Sequence, residues 1–259
     1  MALLLTVDVG NTSTHAGVFE GDQLRTSFRF ATEARVSADT LGLLMRGLLD
    51  LNGIDASEVR AVSLATVVPP LTRRYAEMCE RYFGVDLHVL RAQECGIPID
   101  YEPPSSVGAD RIANAVAAKA RVGAPVIIVD FGTATTLDTL DPRGHYIGGA
   151  ITLGPESTLA GLYSRTAQLP MVDLSAPSRG IGRSTQESIR SGVVHGMAGI
   201  VDGLVRRFRE ELGAQAPTLA TGGLAPMLVP VCETVSEVVL DLTLQGIRMV
   251  WENAAGRAE

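Results

Sequence analysis

The feature that most constrains the fold of this chain is a short pattern that occurs twice. In each copy an apolar, strand-like run is followed at once by Asp, one further residue, Gly and a cluster of hydroxyl or amide side chains. The first copy is Leu3-Leu4-Leu5-Thr6-Val7 followed by Asp8-Val9-Gly10-Asn11-Thr12-Ser13-Thr14. The second is Val126-Ile127-Ile128-Val129 followed by Asp130-Phe131-Gly132-Thr133-Ala134-Thr135-Thr136. Asp8 and Asp130 are about one domain length apart, so the repeat predicts two similar halves.

Both loops have residues suited to binding phosphate. Glycine lets a phosphate or another backbone come close, because it has no Cβ. Threonine hydroxyls and turn N–H groups are short donors that suit phosphate oxygens. Asp130 can hold a hydrated cation that balances phosphate charge. One such loop alone would be read as an ordinary hairpin turn, whereas the matched pair favours two hairpins whose turns face a shared nucleotide.

Composition and charge exclude several classes of protein. The net charge is −7, from 22 basic and 29 acidic residues, and without a basic tract the chain is not expected to bind nucleic acid. The three cysteines are far apart and form no Cys-x-x-Cys pair, so neither a disulfide framework nor a zinc site is expected. The apolar runs are too short for a membrane span, and the start of the chain does not resemble a signal peptide. We therefore expect a cytoplasmic protein that does not bind membranes.

The order of predicted elements indicates an α/β fold. In the first half, strands are expected at residues 3–8, 14–19, 23–30, 59–67 and 87–90. A helix begins at Ser37 or Asp39, and another follows Pro69-Pro70, which should end the fourth strand. The second half repeats the order, with strands at 126–130, 137–140, 146–151 and 218–221 and helices at 156–168, 183–212 and 243–252.

Two helices carry further signals. Residues 95–106 should form an irregular loop that leads into Gly108-Ala109-Asp110-Arg111 at a helix N-terminus. Taken alone, Asp110 there is a carboxylate that favours the helix dipole. The long helix has four glycines on one face, which suggests very close packing against a helix of the same chain, such as the terminal one, or of a second subunit: Gly192, Gly196, Gly199 and Gly203.

With these residues in view, the chain resembles the type III pantothenate kinases, in the superfamily of acetate and sugar kinases, heat-shock chaperones and actin. The resemblance extends over nearly the whole chain. It rests on both Asp-x-Gly loops, on Gly108-Ala109-Asp110-Arg111, on Asp138 with Tyr146-x-Gly148-Gly149, and on Thr221-Gly222-Gly223. The loops mark the superfamily, and the Gly-Ala-Asp-Arg element between them points to the family.

The resemblance implies two ribonuclease-H-like (actin-like ATPase) domains with an inter-domain nucleotide cleft. We divide the chain into an N-terminal half, 1–118, with the first phosphate loop, and a C-terminal half, 119–259, with the second loop and a long dimerisation helix. The implied reaction is the ATP-dependent phosphorylation of the primary hydroxyl of pantothenate, the first step of coenzyme A synthesis. The implied partners are Mg²⁺, a monovalent cation such as K⁺ or NH₄⁺, and a second subunit in a homodimer.

The resemblance also assigns roles to residues. Asp110 is the general base, and Asp130 is the ligand of the monovalent cation. Substrate contacts fall on Tyr101, Gly108, Ala109, Asp110, Arg111 and Thr185. Asp8 is expected to hold the divalent ion from its second shell. The residues expected to bind ATP are Asp8, Val9, Gly10, Asn11, Thr12, Ser13, Thr14, His15 and Thr133.

Two positions depart from the family pattern. Gly154-Pro155-Glu156 stands where the order Pro-Gly is expected, and His15 stands where a longer basic side chain is expected near the phosphates. His88 and His195 are interpreted as structural, and His145 as solvated in a hairpin turn. Two other functions remain open: a kinase for another small hydroxy compound, and a non-catalytic relative that binds nucleotide or assists transcription.

Overall fold

The computed structural model describes residues 2–165 and 170–256, which form two compact units. The first unit contains the described residues of 1–96, 102–117 and 242–259, and the second contains those of 97–101 and 118–241. Two segments therefore lie in a different unit from the one that a division at residue 118 predicts. Residues 97–101 belong to the second unit because they pair with its hairpin, and the C-terminal helix belongs to the first because it packs on that unit's sheet.

The first unit is built on a five-stranded mixed sheet. Its strands are β1 (Leu3–Val9), β2 (Ser13–Glu20), β3 (Gln23–Ala31), β4 (Val59–Thr66) and β5 (Leu87–Val89). They lie in the order β3-β2-β1-β4-β5, with β1 antiparallel to β2 and parallel to β4. The helices of this part of the chain are α1 (Ala38–Leu51), α2 (Pro69–Phe83) and α3 (Ala109–Val122), and α3 crosses the boundary between the units at residue 117.

Local sequence explains most of these boundaries. Ser37 caps α1 by accepting a hydrogen bond from the N–H of Thr40 at 3.1 Å. The Pro69-Pro70 pair begins α2 rather than simply ending β4, because proline is well suited to the first helical turn, where its missing N–H has no partner to lose. All three cysteines are free thiols, as predicted.

The second unit repeats the same sheet. Its strands are β6 (Val126–Phe131), β7 (Ala134–Leu140), β8 (Tyr146–Leu153), β9 (Thr218–Thr221) and β10 (Glu237–Val238), and its helices are α4 (Pro155–Arg165), α5 (Thr185–Leu212) and α6 (Ala225–Leu228). The order β10-β9-β6-β7-β8 is that of the first sheet read from its other end, with β6 antiparallel to β7 and parallel to β9. The predicted repeat of two α/β halves is therefore confirmed. The prediction of helix at residues 166–168 lies outside the described residues.

Each unit has its own apolar core. In the first, one face of the sheet packs against α1 and α2, and the other against the C-terminal helix α7 (Leu242–Ala255). In the second, strand residues such as Val129 and Leu137 pack against Val194 and Val201 of α5. Within the residues described, no helix is long and apolar enough to cross a membrane.

The α5 glycines do not pack against any part of the described chain. A Cβ placed on Gly192, Gly196, Gly199 or Gly203 would meet no atom within 4 Å outside the helix's own backbone. The glycine that does permit close helix packing is Gly246 of α7, where a Cβ would overlap with the backbone of Ala113 in α3. Within the second unit, the four glycines of α5 therefore have no close packing partner among the described residues.

Candidate active site

The first Asp-x-Gly loop is the turn between β1 and β2. Asp8 and Val9 end β1, and the N–H of Gly10 donates to the carbonyl of Ser13 at 3.1 Å. Asn11 and Thr12 form the exposed tip of the turn, and their position leaves polar groups facing solvent. Asp8 is the cross-strand partner of His15, so these two side chains lie on the same face of the sheet.

Three of the residues predicted to bind ATP have buried side chains, and His15, with 6% of its surface exposed, is one of them. Val9 is fully buried. Thr14 is buried as well, and its hydroxyl lies 2.9 Å from that of Thr32. Neither side chain is available to a nucleotide, so at most their backbone groups serve the site. Ser13 is exposed at the start of β2.

The second loop is the equivalent turn between β6 and β7. The N–H of Gly132 donates to the carbonyl of Ala134 at 3.1 Å, and Thr133 is exposed at the tip. Gly154 donates its N–H to the carbonyl of Thr133 at 3.0 Å, and a Cβ on Gly154 would overlap with the backbone of this loop. The Gly-Pro order is thus accommodated: the glycine supports the second loop, and Pro155 begins α4.

Asp130 lies near the end of β6 and packs closely against a glycine. Gly222, at φ +91°, follows the parallel strand β9, and a Cβ there would lie 2.6 Å from both the Asp130 Oδ1 atom and the Phe131 carbonyl oxygen. Carboxylate and carbonyl oxygens are the ligands that hard cations take. The Asp130 and Phe131 oxygens beside Gly222 are therefore groups that could serve as cation ligands. In the described part of the chain, no three His, Cys, Asp or Glu side chains are grouped as a metal cluster.

Asp110 lies in the first turn of α3, as predicted. Its Oδ1 atom accepts a hydrogen bond from the N–H of Arg111 at 2.8 Å. Burial raises the pKa of the Asp110 carboxyl above its ordinary value of 3.8, and the hydrogen bond and charge of Arg111 oppose that rise. A carboxyl with a raised pKa accepts a proton more readily than an exposed one, which is the property that a general base needs.

Gly108 makes room for the Asp110 carboxylate. A Cβ at residue 108 would overlap with the Asp110 Oδ1 atom and would lie 3.5 Å from Val67. The glycine in the Gly-Ala-Asp-Arg element therefore sets the position of the side chain two residues later.

Replacing Gly108 with alanine is expected to displace that carboxylate. Because a misplacement of about 1 Å can cost about 10²-fold in rate, we expect kcat to fall by about 10–100-fold while the fold is retained. Steady-state kinetics with circular dichroism checks this. The matched control is Gly47→Ala in α1, where an added Cβ meets nothing within 4 Å. An unchanged kcat for Gly108→Ala would mean that the position of Asp110 does not matter.

The remaining predicted substrate contacts fall in both units. Arg111 follows Asp110 in α3 and is buried, with 8% of its surface exposed. Ala109 is the first residue of α3. Tyr101 belongs to the second unit and is partly exposed, and Thr185 is the exposed first residue of α5. Ser184 rather than Thr185 caps α5, by accepting from the N–H of Glu187 at 3.2 Å, so the Thr185 hydroxyl is not used for capping.

A Ser-His-Glu arrangement in the first unit does not form a second active site. The Ser63 hydroxyl lies 2.9 Å from His88 Nδ1, and Glu94 lies 3.5 Å from His88 Nε2. Ser63 is completely buried in β4, so a substrate could not reach its hydroxyl. Burial also lowers the pKa of His88, which fits a structural histidine.

Comparison with known proteins decides the family. The sequence model of the type III pantothenate kinases matches residues 4–207. The chain belongs to the type III pantothenate kinase family. Members from Thermomicrobium roseum and Parafrankia sp. are each 46% identical to it, over 96% of this chain and 97% and 98% of theirs. A member from Moorella thermoacetica is 41% identical over 96% of this chain and 99% of its own.

Solved structures support the fold class. A Campylobacter jejuni protein described as a Baf family transcriptional activator aligns with a TM-score of 0.61 at 16% identity, covering 97% of this chain and 99% of its own. Component A of the (R)-2-hydroxyglutaryl-CoA dehydratase of Acidaminococcus fermentans aligns with a TM-score of 0.57 at 12% identity, covering all of both chains. At such identities the likeness concerns the fold alone, and with the two matching sheets it confirms the actin-like α/β class.

Two glycines contribute to the geometry of the site in a way that the sequence did not predict. Gly108 was predicted only as a substrate contact and Gly222 only as part of a family motif, yet each lies so close to a carboxylate named in the prediction that a Cβ would not fit. Their roles depend on where a neighbouring side chain or strand lies in space. The sequence signal that pointed to them was the occurrence of glycine beside Asp or Thr in short motifs.

Proposed function

We propose that this chain transfers the γ-phosphoryl group of ATP to the primary hydroxyl of pantothenate, which is the first step of coenzyme A synthesis. The observation that carries the proposal is the family match over nearly the whole chain, together with Asp8, Asp110 and Asp130 at the two loops and the helix start. In the step, the hydroxyl oxygen forms a bond to phosphorus, the bond to the bridging oxygen of ADP breaks, and the hydroxyl proton passes to Asp110.

The chain's own groups bind and position the reactants. Phosphoryl transfer depends on positioning and charge neutralisation more than on covalent help. Asn11 and Thr12 supply turn N–H groups and side-chain donors for phosphate oxygens, Gly10 lets the phosphates approach because it has no Cβ, and Thr133 is the corresponding donor of the second loop. Asp8 and His15, on one face of the first sheet, lie beside that turn. Mg²⁺, when bound to ATP near Asp8, would neutralise phosphate charge.

Substrate recognition is assigned to Arg111, Gly108, Ala109, Tyr101 and Thr185. Arg111 is suited to pair with the carboxylate of pantothenate, because its planar guanidinium can donate two parallel hydrogen bonds. Gly108 and Ala109 place backbone groups next to Asp110. Tyr101 and Thr185 present a ring and a hydroxyl from the second unit.

Activity is expected to require a monovalent cation held by Asp130. The support is that the Asp130 carboxylate and the Phe131 carbonyl, both oxygen ligands of the kind that hard cations take, lie close to Gly222. Turnover should rise when Na⁺ is exchanged for K⁺ or NH₄⁺, and Asp130→Asn should remove most of that dependence. Initial rates in each salt, after residual K⁺ is removed, check this. Equal rates in all three salts would contradict the role of Asp130.

We also propose that the chain works as a homodimer through the glycine face of α5. The support is that a Cβ at any of these four glycines would meet no atom of the described second unit within 4 Å, although four glycines in a helix interior reduce its stability by about 1 kcal/mol each. Ile200, on the same helix, is 42% exposed. The cytoplasmic location and the absence of nucleic-acid and membrane partners stay predictions from the sequence.

A substrate panel tests the proposal. ADP release is followed with pantothenate, with sugars and with small hydroxy acids, at equal concentrations. We expect turnover with pantothenate that exceeds every other compound and that Asp110→Asn removes. Turnover with a sugar or small acid alone would indicate a different kinase, and binding of ATP without turnover would indicate a non-catalytic relative.

A further inference from the structure

The segment that carries Tyr101 is attached to the start of β8. Ile99 forms a parallel bridge with Tyr146. The N–H of Asp100 donates to the Tyr146 carbonyl at 2.8 Å, and the N–H of Tyr146 donates to the Pro98 carbonyl at 2.9 Å. A single bridge with two hydrogen bonds thus attaches residues 98–100 to the start of β8, and the backbone of Tyr146 fixes the backbone that precedes Tyr101.

Side chains of the β7–β8 turn reinforce this attachment. The Asp100 Oδ2 atom lies 2.9 Å from His145 Nδ1 and 3.3 Å from Arg143 Nη2. Asp141 organises the turn by accepting from the N–H groups of Arg143 and His145, each at 3.0 Å. The interpretation of His145 as a solvated turn residue is therefore wrong, because it contacts the Tyr101 segment.

The rings of Tyr146 and Tyr101 meet at the end of this segment. Tyr146 is fully buried, and its hydroxyl donates to the Oδ1 atom of buried Asp138 at 2.6 Å. The Tyr101 ring packs edge-on against it, with centroids 6.2 Å apart and planes at 68°. Gly148 also allows Tyr101 to pack in this position, because a Cβ at residue 148 would lie 3.1 Å from the Tyr101 ring. One side of Tyr101 is thus held by the hairpin, while 36% of its surface remains exposed.

We propose that Tyr146, held in place by Asp138, is a positioning residue that sets the orientation of Tyr101 for substrate binding. This inference rests on the proposed pantothenate activity only through the substrate contact of Tyr101. Tyr146 has no exposed surface and acts through Tyr101. The Asp138 carboxylate fixes the far end of the Tyr146 side chain, so that the ring has one defined position against which Tyr101 packs.

The kinetic test uses Tyr146→Phe, which removes only the hydroxyl. The matched control is Tyr82→Phe, because the Tyr82 hydroxyl donates to the Asp39 carboxylate at 2.7 Å in the first unit. We expect Tyr146→Phe to raise KM for pantothenate on the order of tenfold, with kcat and KM for ATP changed by less than about twofold. In a Tyr101→Leu background the same change should have no further effect. An unchanged KM, or an equal loss with and without Tyr101, would overturn the proposal.

A spectroscopic test does not depend on activity. The chain has five tyrosines, so labelling with 3-fluorotyrosine gives a small set of fluorine resonances, and Tyr101→Phe assigns that of Tyr101. We expect Tyr146→Phe and Asp138→Asn to shift the Tyr101 resonance and Tyr82→Phe to leave it unchanged. If Tyr146→Phe does not fold, Asp138→Asn replaces it as the test variant. An unmoved Tyr101 resonance in the folded variant overturns the proposal. If the unmodified chain does not phosphorylate pantothenate, only the proposed activity is refuted, because the Tyr101 resonance still reports the contact between Tyr101 and Tyr146.

Discussion

Asp110→Asn is expected to lower kcat by about 10²–10⁴-fold, the range that general-base catalysis contributes. The amide keeps the shape of the carboxylate but cannot accept the proton of the attacking hydroxyl. Because burial raises the pKa of the carboxyl, the native state binds this proton more tightly than the unfolded state, and ionisation at neutral pH costs stability. The variant should therefore unfold at the same temperature as the unmodified chain or a higher one. Single-turnover kinetics and thermal unfolding provide the two measurements.

The pH profile sharpens this test. Asp110 is active when ionised, so turnover should rise with pH through a midpoint above 3.8, and the low residual rate of Asp110→Asn should lack that rise. Asp39→Asn is the matched control, since Asp39 also lies in the first turn of a helix, α1, but is exposed. Near-normal kcat for Asp110→Asn would remove this residue from the mechanism.

Gly199→Leu is expected to convert the proposed dimer into a monomer with reduced turnover. Overpacking an interface costs about 1–3 kcal/mol for each inserted side chain, and a two-fold interface contains the substitution twice. The dimer should therefore weaken by about thirtyfold or more, since about 1.4 kcal/mol corresponds to a factor of ten. Within one chain the Cβ of the new residue meets no atom within 4 Å, and leucine favours the helix more than glycine does, so the monomer should remain folded. Sedimentation equilibrium measures the change in association.

The control for this prediction is Gly47→Leu in α1. Gly47 is likewise an exposed helix glycine with open space where a Cβ would stand. This variant should keep the association state and the activity of the unmodified chain. A Gly199→Leu protein that remains a fully active dimer of undiminished strength would show that the glycine face of α5 is not the interface.

The sequence predicted the elements that depend on local patterns. Alternating apolar residues and the two Asp-x-Gly turns were sufficient to locate the strands of both hairpins, and Ser37 marked a helix start. These signals depend on residues within a few positions of each other along the chain. The position of Asp110 at a helix start followed in the same way.

Contacts between distant parts of the chain could not be predicted. The pairing of Ile99 with Tyr146 gives no periodic signal, and α7 joins the first unit through packing with residues more than a hundred positions away. The Thr14 hydroxyl shows a second limit. The motif predicted that it binds ATP, but the register of its strand turns the side chain inward, where it pairs with the Thr32 hydroxyl. The α5 glycines show a third limit. The sequence places them on one helix face, but only the structure shows that a Cβ on that face would meet no atom within 4 Å.

The most direct test of the account is to identify the product of the reaction. The purified chain is incubated with ATP, Mg²⁺, K⁺ and pantothenate, and the mixture is followed by phosphorus NMR and mass spectrometry. We predict one new phosphomonoester on the primary hydroxyl of pantothenate, formed in equal amount with ADP and absent with Asp110→Asn. Release of ADP with inorganic phosphate alone, or an unmodified pantothenate after complete incubation, would contradict the proposed function.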